Sequence, residues 1–287
     1  MKNEIAKPLR LAQAVMIQHT LFSLPFAVSA MLMETKGIIP TQKLVWIFLA
    51  IVGARNGANG LNRLIDHQID AKNPRTKNRH LPSGKLQRLD LWIFVLGCFL
   101  LLVGSTFMLN PLCVVLLPVA LIMIIAYSYT KRFTWLCHYF LGATVAIAPM
   151  GTLLALNGGF KFSYFVLSAS VALWVAGFDI IYATQDIDFD RSEGLHSVPA
   201  RFGVRGALFL ASFSHFLSFL LLLYWGTFYQ AGLWYYIGCM VVGLLLFVEN
   251  GLVAPGKLKH VTTAAYHINE IVSVLFFLFI VLEVYLP

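Results

Sequence analysis

Charge is what this chain has least of. Only 12% of its 287 residues are Asp, Glu, Lys or Arg, about half the share found in a soluble globular domain. Cysteine is also sparse: Cys98, Cys113, Cys137 and Cys239 are scattered with no CxxC spacing, which excludes a disulfide framework and a thiolate zinc site and leaves them as small apolar residues. Histidine and cysteine do not cluster anywhere, so soft-metal chemistry has no ligand set. The formal charge of +8 has no soluble domain to present it, so nucleic acid is not an expected partner; anionic lipid and topology account for the basic residues. The opening "MKNEIAKPLR" resembles neither an Arg-rich transit peptide nor a cleaved signal.

What fills the chain is hydrocarbon. Hydrophobic residues make up 59% of it, in recurring runs of roughly 18 to 25 residues, each long enough to cross a hydrocarbon core of about 30 Å as a helix. Spans are expected near 12–34, 43–65, 89–109, 112–130, 135–156, 163–185, 206–227, 232–250 and 267–286. The expected fold is therefore all-α: a single polytopic membrane domain over residues 1–287, a bundle of about nine helices around a central cavity. Of the 21 lysines and arginines, only Lys36, Lys43 and Lys161 fall in the loops of one side and Arg55 inside a span. The excess of positive charge on the other side places the N terminus and the charged loops in the cytoplasm, with a bacterial inner membrane as the expected home.

Two polar stripes interrupt this pattern. The second span ends "ARNGANGLNRLID"; at 100° per residue Arg55, Asn59, Asn62, Asp66 and Asp70 fall within about 80° on one face. Pro74 is expected to stop that helix, because the residue before proline avoids the α region. The sixth span repeats the design in "AGFDIIYATQDIDFDRSEGLHSVPARFG", where Asp179, Tyr182, Asp186 and Asp190 share a face and Asp188 points away. Four helices separate the copies, as in a parallel internal repeat whose acidic ends face each other.

A solvated helix end is the plain explanation of any one of these charges, but a charge inside the membrane costs at least about 2.5 kcal/mol, so Arg55 and Asp179 need partners or a wet cavity. An Arg55–Asp179 pair is one way to meet that need; a carboxylate ligand for Arg55 and Asn59 is the other. Hard oxygen ligands without clustered His or Cys select magnesium or calcium. Magnesium takes one or two carboxylates and fills its remaining positions with water and phosphate oxygens. The cations of the loops at 62–88 and 186–205, with Lys131 and Arg132 at the inner end of the fourth span, supply what phosphate oxygens require. The mixture of signs fits a diphosphate with magnesium.

On these motifs the chain resembles the UbiA superfamily of intramembrane prenyltransferases. The family's NxxxDxxxD reads here as Asn62, Asp66 and Asp70, followed by the basic "NPRTKNRHLPSG"; its DxxxD matches Asp186 and Asp190, with "GLHSVPARFG" behind; its YxxxK matches Tyr127 to Lys131. Many relatives carry Asp directly after the motif Asn, where this chain has Arg63. The resemblance implies transfer of a polyprenyl group from its diphosphate to an aromatic acid such as 4-hydroxybenzoate, in quinone biosynthesis, with a dihydroxynaphthoate of the menaquinone route as the alternative acceptor. It implies Mg2+ as cofactor on Asn62, Asp66, Asp70, Asp186 and Asp190, the four acids being catalytic, and diphosphate binding by Arg75, Arg79, Tyr127 and Lys131. Acceptor binding falls to Arg55, Asn59 and His19. The rival class is a membrane transporter with carboxylate ion sites, although such sites ordinarily lie at the bilayer midplane and these acids close the inner ends of spans.

Overall fold

The computed structural model describes residues 7–17, 20–254, 258 and 260–286. The chain runs through α1 (Lys7–Ala14), α2 (Thr20–Thr35), α3 (Thr41–Ile65), α4 (His67–Lys72), α5 (Arg88–Phe107), α6 (Pro111–Thr130) and α7 (Cys137–Asn157). It continues through α8 (Phe162–Ala183), a 3-10 turn (Thr184–Asp186), α9 (Ile187–Ser192), α10 (Val198–Thr227) and α11 (Leu233–Leu252), then a π-helical turn (Thr263–Ile268) and α12 (Asn269–Tyr285). Among the described residues, eight helices are long and apolar enough to cross a membrane.

The first expected span, 12–34, differs. Helix α2 has sixteen residues, about 24 Å at 1.5 Å per residue and short of the hydrocarbon core. Met16, at φ 51°, lies in the left-handed region, which a right-handed helix cannot include, so α1 and α2 are separate. His19 lies outside the described residues.

Local chemistry sets several ends. Asn110 caps α6 by accepting the Cys113 N–H at 3.2 Å, with Pro111 at the first helical position, where its missing N–H costs nothing. Ser197 caps α10 by accepting the Ala200 N–H at 3.2 Å. Gly203, at φ 68° and ψ 178°, breaks α10 just after its start, close to where the hydrophobic run at 206 begins.

Burial is inverted relative to a soluble bundle. On α6, Val115, Val119 and Ile122 are exposed and only 11% of its most apolar window is buried, whereas α8 is 67% buried. Helix α6 therefore faces lipid and α8 forms the centre. The main core joins α2, α7, α8, α10, α11 and α12 around Trp174, Trp225, Tyr164, Tyr235 and Phe276. Helices α1, α3 and α5 share a smaller core around Leu64, Leu91 and Val95. Polar residues around the start of α12 divide: Asn269 accepts from Trp174 Nε1 at 2.5 Å and donates to Glu249 at 2.9 Å, while His267 is exposed and lies 3.8 Å from Glu270. The four cysteines are free.

The contact of α7 with α8 is the closest of these approaches. A Cβ on Gly142 would stand 2.1 Å from the Ala172 carbonyl oxygen, so only glycine allows this spacing. We expect Gly142→Ala to destabilise the bundle by about 1–3 kcal/mol through overpacking, read as a lower unfolding midpoint of the detergent-solubilised protein.

Candidate active site

The first acidic stripe holds together, although not as one helix. Helix α3 ends at Ile65, and Asp66 (φ −89°, ψ 5°) forms a bend before α4. The ladder survives the bend, because Asp66 N–H donates to the Asn62 carbonyl at 2.9 Å and Asp70 N–H to the Asp66 carbonyl at 2.7 Å. Asn62, Asp66 and Asp70 therefore stay on one line, with Asn62 Nδ2 donating to Asp66 Oδ2 at 2.9 Å. The chain turns at Asn73, before Pro74, as expected.

That turn folds the basic loop back over the acids. Asn73 Oδ1 accepts the Arg75 N–H at 2.9 Å and Thr76 Oγ1 donates to the Asp70 carbonyl at 2.9 Å. The loop is thereby placed so that Arg79 Nη1 reaches both oxygens of Asp70, at 2.6 and 2.8 Å. Arg75 reaches further and binds Asp186 with Nε and Nη2, at 2.9 and 2.5 Å, while its Nη1 donates to Tyr182 Oη at 2.7 Å. Asn73 Nδ2 also donates to Asp186, at 2.9 Å. The two acidic motifs, 120 residues apart in the chain, are thus joined through one guanidinium.

Each remaining acid has its own cation. Arg132 Nη2 is 2.8 Å from Asp66, and Lys131 Nζ is 2.7 Å from Asp190. Asp190, fully buried, accepts from Ser197 Oγ at 2.8 Å. Its Oδ1 receives no well-directed hydrogen bond, so the contact with Lys131 is Coulombic and leaves a lone pair unused. Burial pushes the Asp66 carboxyl up despite Arg132. Burial also works against charge on Lys131 and Arg75, but Asp190 and Asp186 outweigh it and hold both above their ordinary values. Asp188 is exposed, pointing away as expected.

Beneath these pairs lies an apolar cavity of about 340 Å³ between α3, α6 and α7. Its wall on α3 runs from Ile47 to Ala58, about 16 Å of depth. Arg55 and Tyr127 are polar groups in a lining otherwise rich in Ile, Leu and Ala. Arg55 Nε is buried without a hydrogen-bond partner among the described residues. The Arg55–Asp179 pair, one of the two arrangements the sequence allows, is not formed: Asp179 Oδ2 lies 2.6 Å from His138 Nδ1 instead. Asn59 is turned aside, donating to the Val15 carbonyl at 2.8 Å, and Tyr127 Oη donates to the Ala58 carbonyl at 3.3 Å. Arg63 also points elsewhere, with Nε donating to the Ala14 carbonyl at 3.4 Å and Nη2 3.5 Å from the Met16 sulfur. It lines a second cavity with Arg75, Arg79 and His80.

Asn73, Ser197 and His138 join the site without having been singled out for it, while Arg132 and Tyr182, noted at a span's inner end and on a stripe, bind Asp66 and Arg75. Arg132 adjoins Lys131 and Asn73 precedes Pro74, so the sequence offered a signal for both. His138 sits alone in an apolar run and gave none.

The donor set suits a hard divalent cation: four carboxylates and one amide oxygen, with a buried carboxylate lone pair on Asp190 left unused. Among the described residues no three carboxylate, His or Cys side chains converge as a ready-made cage. That agrees with magnesium, which commonly takes one or two carboxylates and completes its shell with water and substrate phosphates.

Comparison with known proteins gives the chain's family and fold. The profile of the UbiA prenyltransferase family matches residues 23–280. A 4-hydroxybenzoate octaprenyltransferase of Vibrio parahaemolyticus is 28% identical over 228 residues, 78% of each chain, and that of Shewanella loihica 31% over 218 residues, 75% of this chain and 74% of the relative. The apo structure of a UbiA homologue from Aeropyrum pernix superposes with a TM-score of 0.84 at 30% identity, covering 93% of this chain and 98% of the other. A homologue from Archaeoglobus fulgidus bound to GPP and Mg2+ shares the fold, with a TM-score of 0.70 at 20% identity over 97% of this chain and 99% of that one.

The two bridges between the acidic ends should differ in worth. Lys72 and Glu193, 2.6 Å apart and largely exposed, form a surface pair, and Lys72→Ala should change stability by under about 0.5 kcal/mol. Arg75→Ala leaves the buried Asp186 without its main partner and should cost about 2–3 kcal/mol, less than a fully buried pair because Arg75 is partly exposed. Unfolding midpoints of the two variants, taken side by side, check this order.

Proposed function

The chain belongs to the UbiA prenyltransferase family, and from that membership we propose that it transfers a polyprenyl group from its diphosphate to an aromatic acid, 4-hydroxybenzoate. The named relatives support this choice of acceptor. One observation carries the reading: the Arg75–Asp186 pair, which closes two acidic helix ends over an apolar cavity.

In this reading Asn62, Asp66, Asp70, Asp186 and Asp190 hold Mg2+. Bound magnesium supplies positive charge against the negative charge that grows on the departing diphosphate. Arg75, Arg79 and Lys131 bind the diphosphate oxygens, and the carboxylates they now pair with would be free to hold the metal, so that no net charge would be buried. Tyr127, one turn deeper than Lys131, offers its hydroxyl at the same end of the cavity. The C–O bond between the diphosphate and the allylic carbon breaks with the electron pair leaving on the diphosphate, and an electron-rich ring carbon of the acceptor forms the new C–C bond before losing its proton. The apolar lining keeps water from the allylic cation and gives the prenyl tail a path to lipid. Arg55, whose Nε has no hydrogen-bond partner among the described residues, binds the acceptor's carboxylate. The distribution of lysine and arginine supports a cytoplasmic face for the charged loops of this integral membrane protein.

Asp66→Asn and Asp186→Asn should each lower magnesium-dependent transfer from labelled polyprenyl diphosphate by at least about 100-fold, and chelator should abolish it; undiminished turnover in either condition overturns the assignment. Arg55→Met should raise the KM for the aromatic acid about tenfold or more, the worth of a hydrogen bond to a charged group, with the KM for the prenyl diphosphate unchanged.

A further inference from the structure

Aromatic substitution needs one more group than the diphosphate machinery supplies. Once the C–C bond has formed, the attacked ring carbon still carries its hydrogen, and a base must take that proton for aromaticity to return. Near the acceptor's proposed position the structure holds one carboxylate outside the four ion pairs of the inner surface. Asp179 stands seven residues before Asp186 on α8, as Arg55 stands seven before Asn62 on α3. Asp179 is therefore about 10 Å deeper than Asp186, and Arg55, eleven residues before Asp66, about 16 Å deeper than that acid, and the two charges attract each other.

Its surroundings make it a base. His138, buried at the start of α7, accepts the Val198 N–H on Nε2 at 3.3 Å. With Nε2 accepting, the ring proton sits on Nδ1 and is donated to Asp179 Oδ2 at 2.6 Å. The imidazole thereby orients the Asp179 carboxylate through Oδ2. Asp179 Oδ1 makes no hydrogen bond to any described residue, and the side chain is 27% exposed against 4% for His138. One oxygen is fixed by the protein and the other is left open, as a general base requires. A pair serving only to pack α7 against α8 would have no need of the open oxygen, and Gly142 already sets that contact.

We propose that Asp179 is the base that removes the ring proton from the prenylated acceptor, with His138 as its positioning residue. The inference rests on the reading of the acceptor at Arg55. In the step, the ring C–H bond breaks, its electron pair restores the aromatic ring, and the proton passes to Oδ1 of Asp179, turning the carboxylate into a carboxylic acid. His138 keeps its hydrogen bond to Oδ2 throughout, and no oxidant or further reactant is needed.

The test compares ring-deuterated with ordinary 4-hydroxybenzoate in the wild-type protein and in Asp179→Asn, Asp179→Glu and His138→Gln. A second readout, scrambling of isotopic oxygen between the bridging and non-bridging positions of the prenyl diphosphate, reports ionisation alone. Asp179→Asn should lower kcat by about 100-fold, leave both KM values within about twofold, keep the scrambling and show a primary isotope effect larger than that of the wild type. Asp179→Glu, which restores a carboxylate, should recover part of kcat, and His138→Gln should show a smaller loss with the same isotope signature. Wild-type kcat in Asp179→Asn overturns the proposal. So does a loss of turnover in that variant that takes scrambling with it and brings no isotope effect, since the pair would then serve packing or ionisation. Absence of transfer to 4-hydroxybenzoate in the wild type overturns the underlying acceptor reading, and this proposal with it.

Discussion

The bidentate contact of Arg75 with Asp186 is the constraint on which the rest of the site depends. The chain packs as one large core around α8 and a smaller one around α3 and α5, and at the inner surface these meet through a guanidinium that satisfies a carboxylate only 6% exposed. A buried ion pair gains little over apolar residues of the same volume, because desolvation offsets most of the Coulomb attraction. Its effect here lies in register. The fork of Arg75 fits Asp186 in one geometry, and Asn73, which turns the loop, ends on the same carboxylate. The end of α4 cannot shift along α8 without leaving Asp186 buried and unpaired.

The same economy governs the whole inner surface. Asp66, Asp70, Asp186 and Asp190 are each answered by one cation, Arg132, Arg79, Arg75 and Lys131, so the ligand-free site is locally neutral. Four unanswered carboxylates at a membrane edge would repel one another and open the helix ends. A metal and a diphosphate carry the same two kinds of charge that the pairs already contain, and together they can take the place of those contacts at little electrostatic cost. Either one alone would leave a surplus of one sign.

Much of this was legible in the sequence, and the reasons are physical. Periodicity fixes which side chains share a helix face, so the stripe through Asn62, Asp66 and Asp70 and its counterpart at Asp186 and Asp190 could be read directly. Both remain aligned even though Asp66 bends one helix and a 3-10 turn interrupts the other, because the backbone ladder continues through each irregularity. Contacts between helices distant in sequence were not legible. Asp179 could have met Arg55 and instead pairs with His138 on α7, a helix that approaches α8 closely at Gly142, where only a missing Cβ allows the spacing. The division of the first span followed from one positive φ at Met16, which hydropathy does not register.

The position of the charges also constrains where chemistry can occur. Oxygen ligands and most guanidinium groups stay at the inner edge, where loops and water reduce the cost of charge, while Asp179 lies about two helical turns deeper than Asp186 and Arg55 about three deeper than Asp66. An allylic cation generated among the carboxylates alone would meet water; one generated in the apolar cavity alone would have no countercharge for its leaving group. The boundary between them provides both, with the diphosphate held on the polar side and the carbon end on the dry side. That boundary exists because the two acidic stripes do not stop at the membrane edge but continue inward as single charges on apolar helices, each placed where a substrate, a histidine or a cavity can meet it.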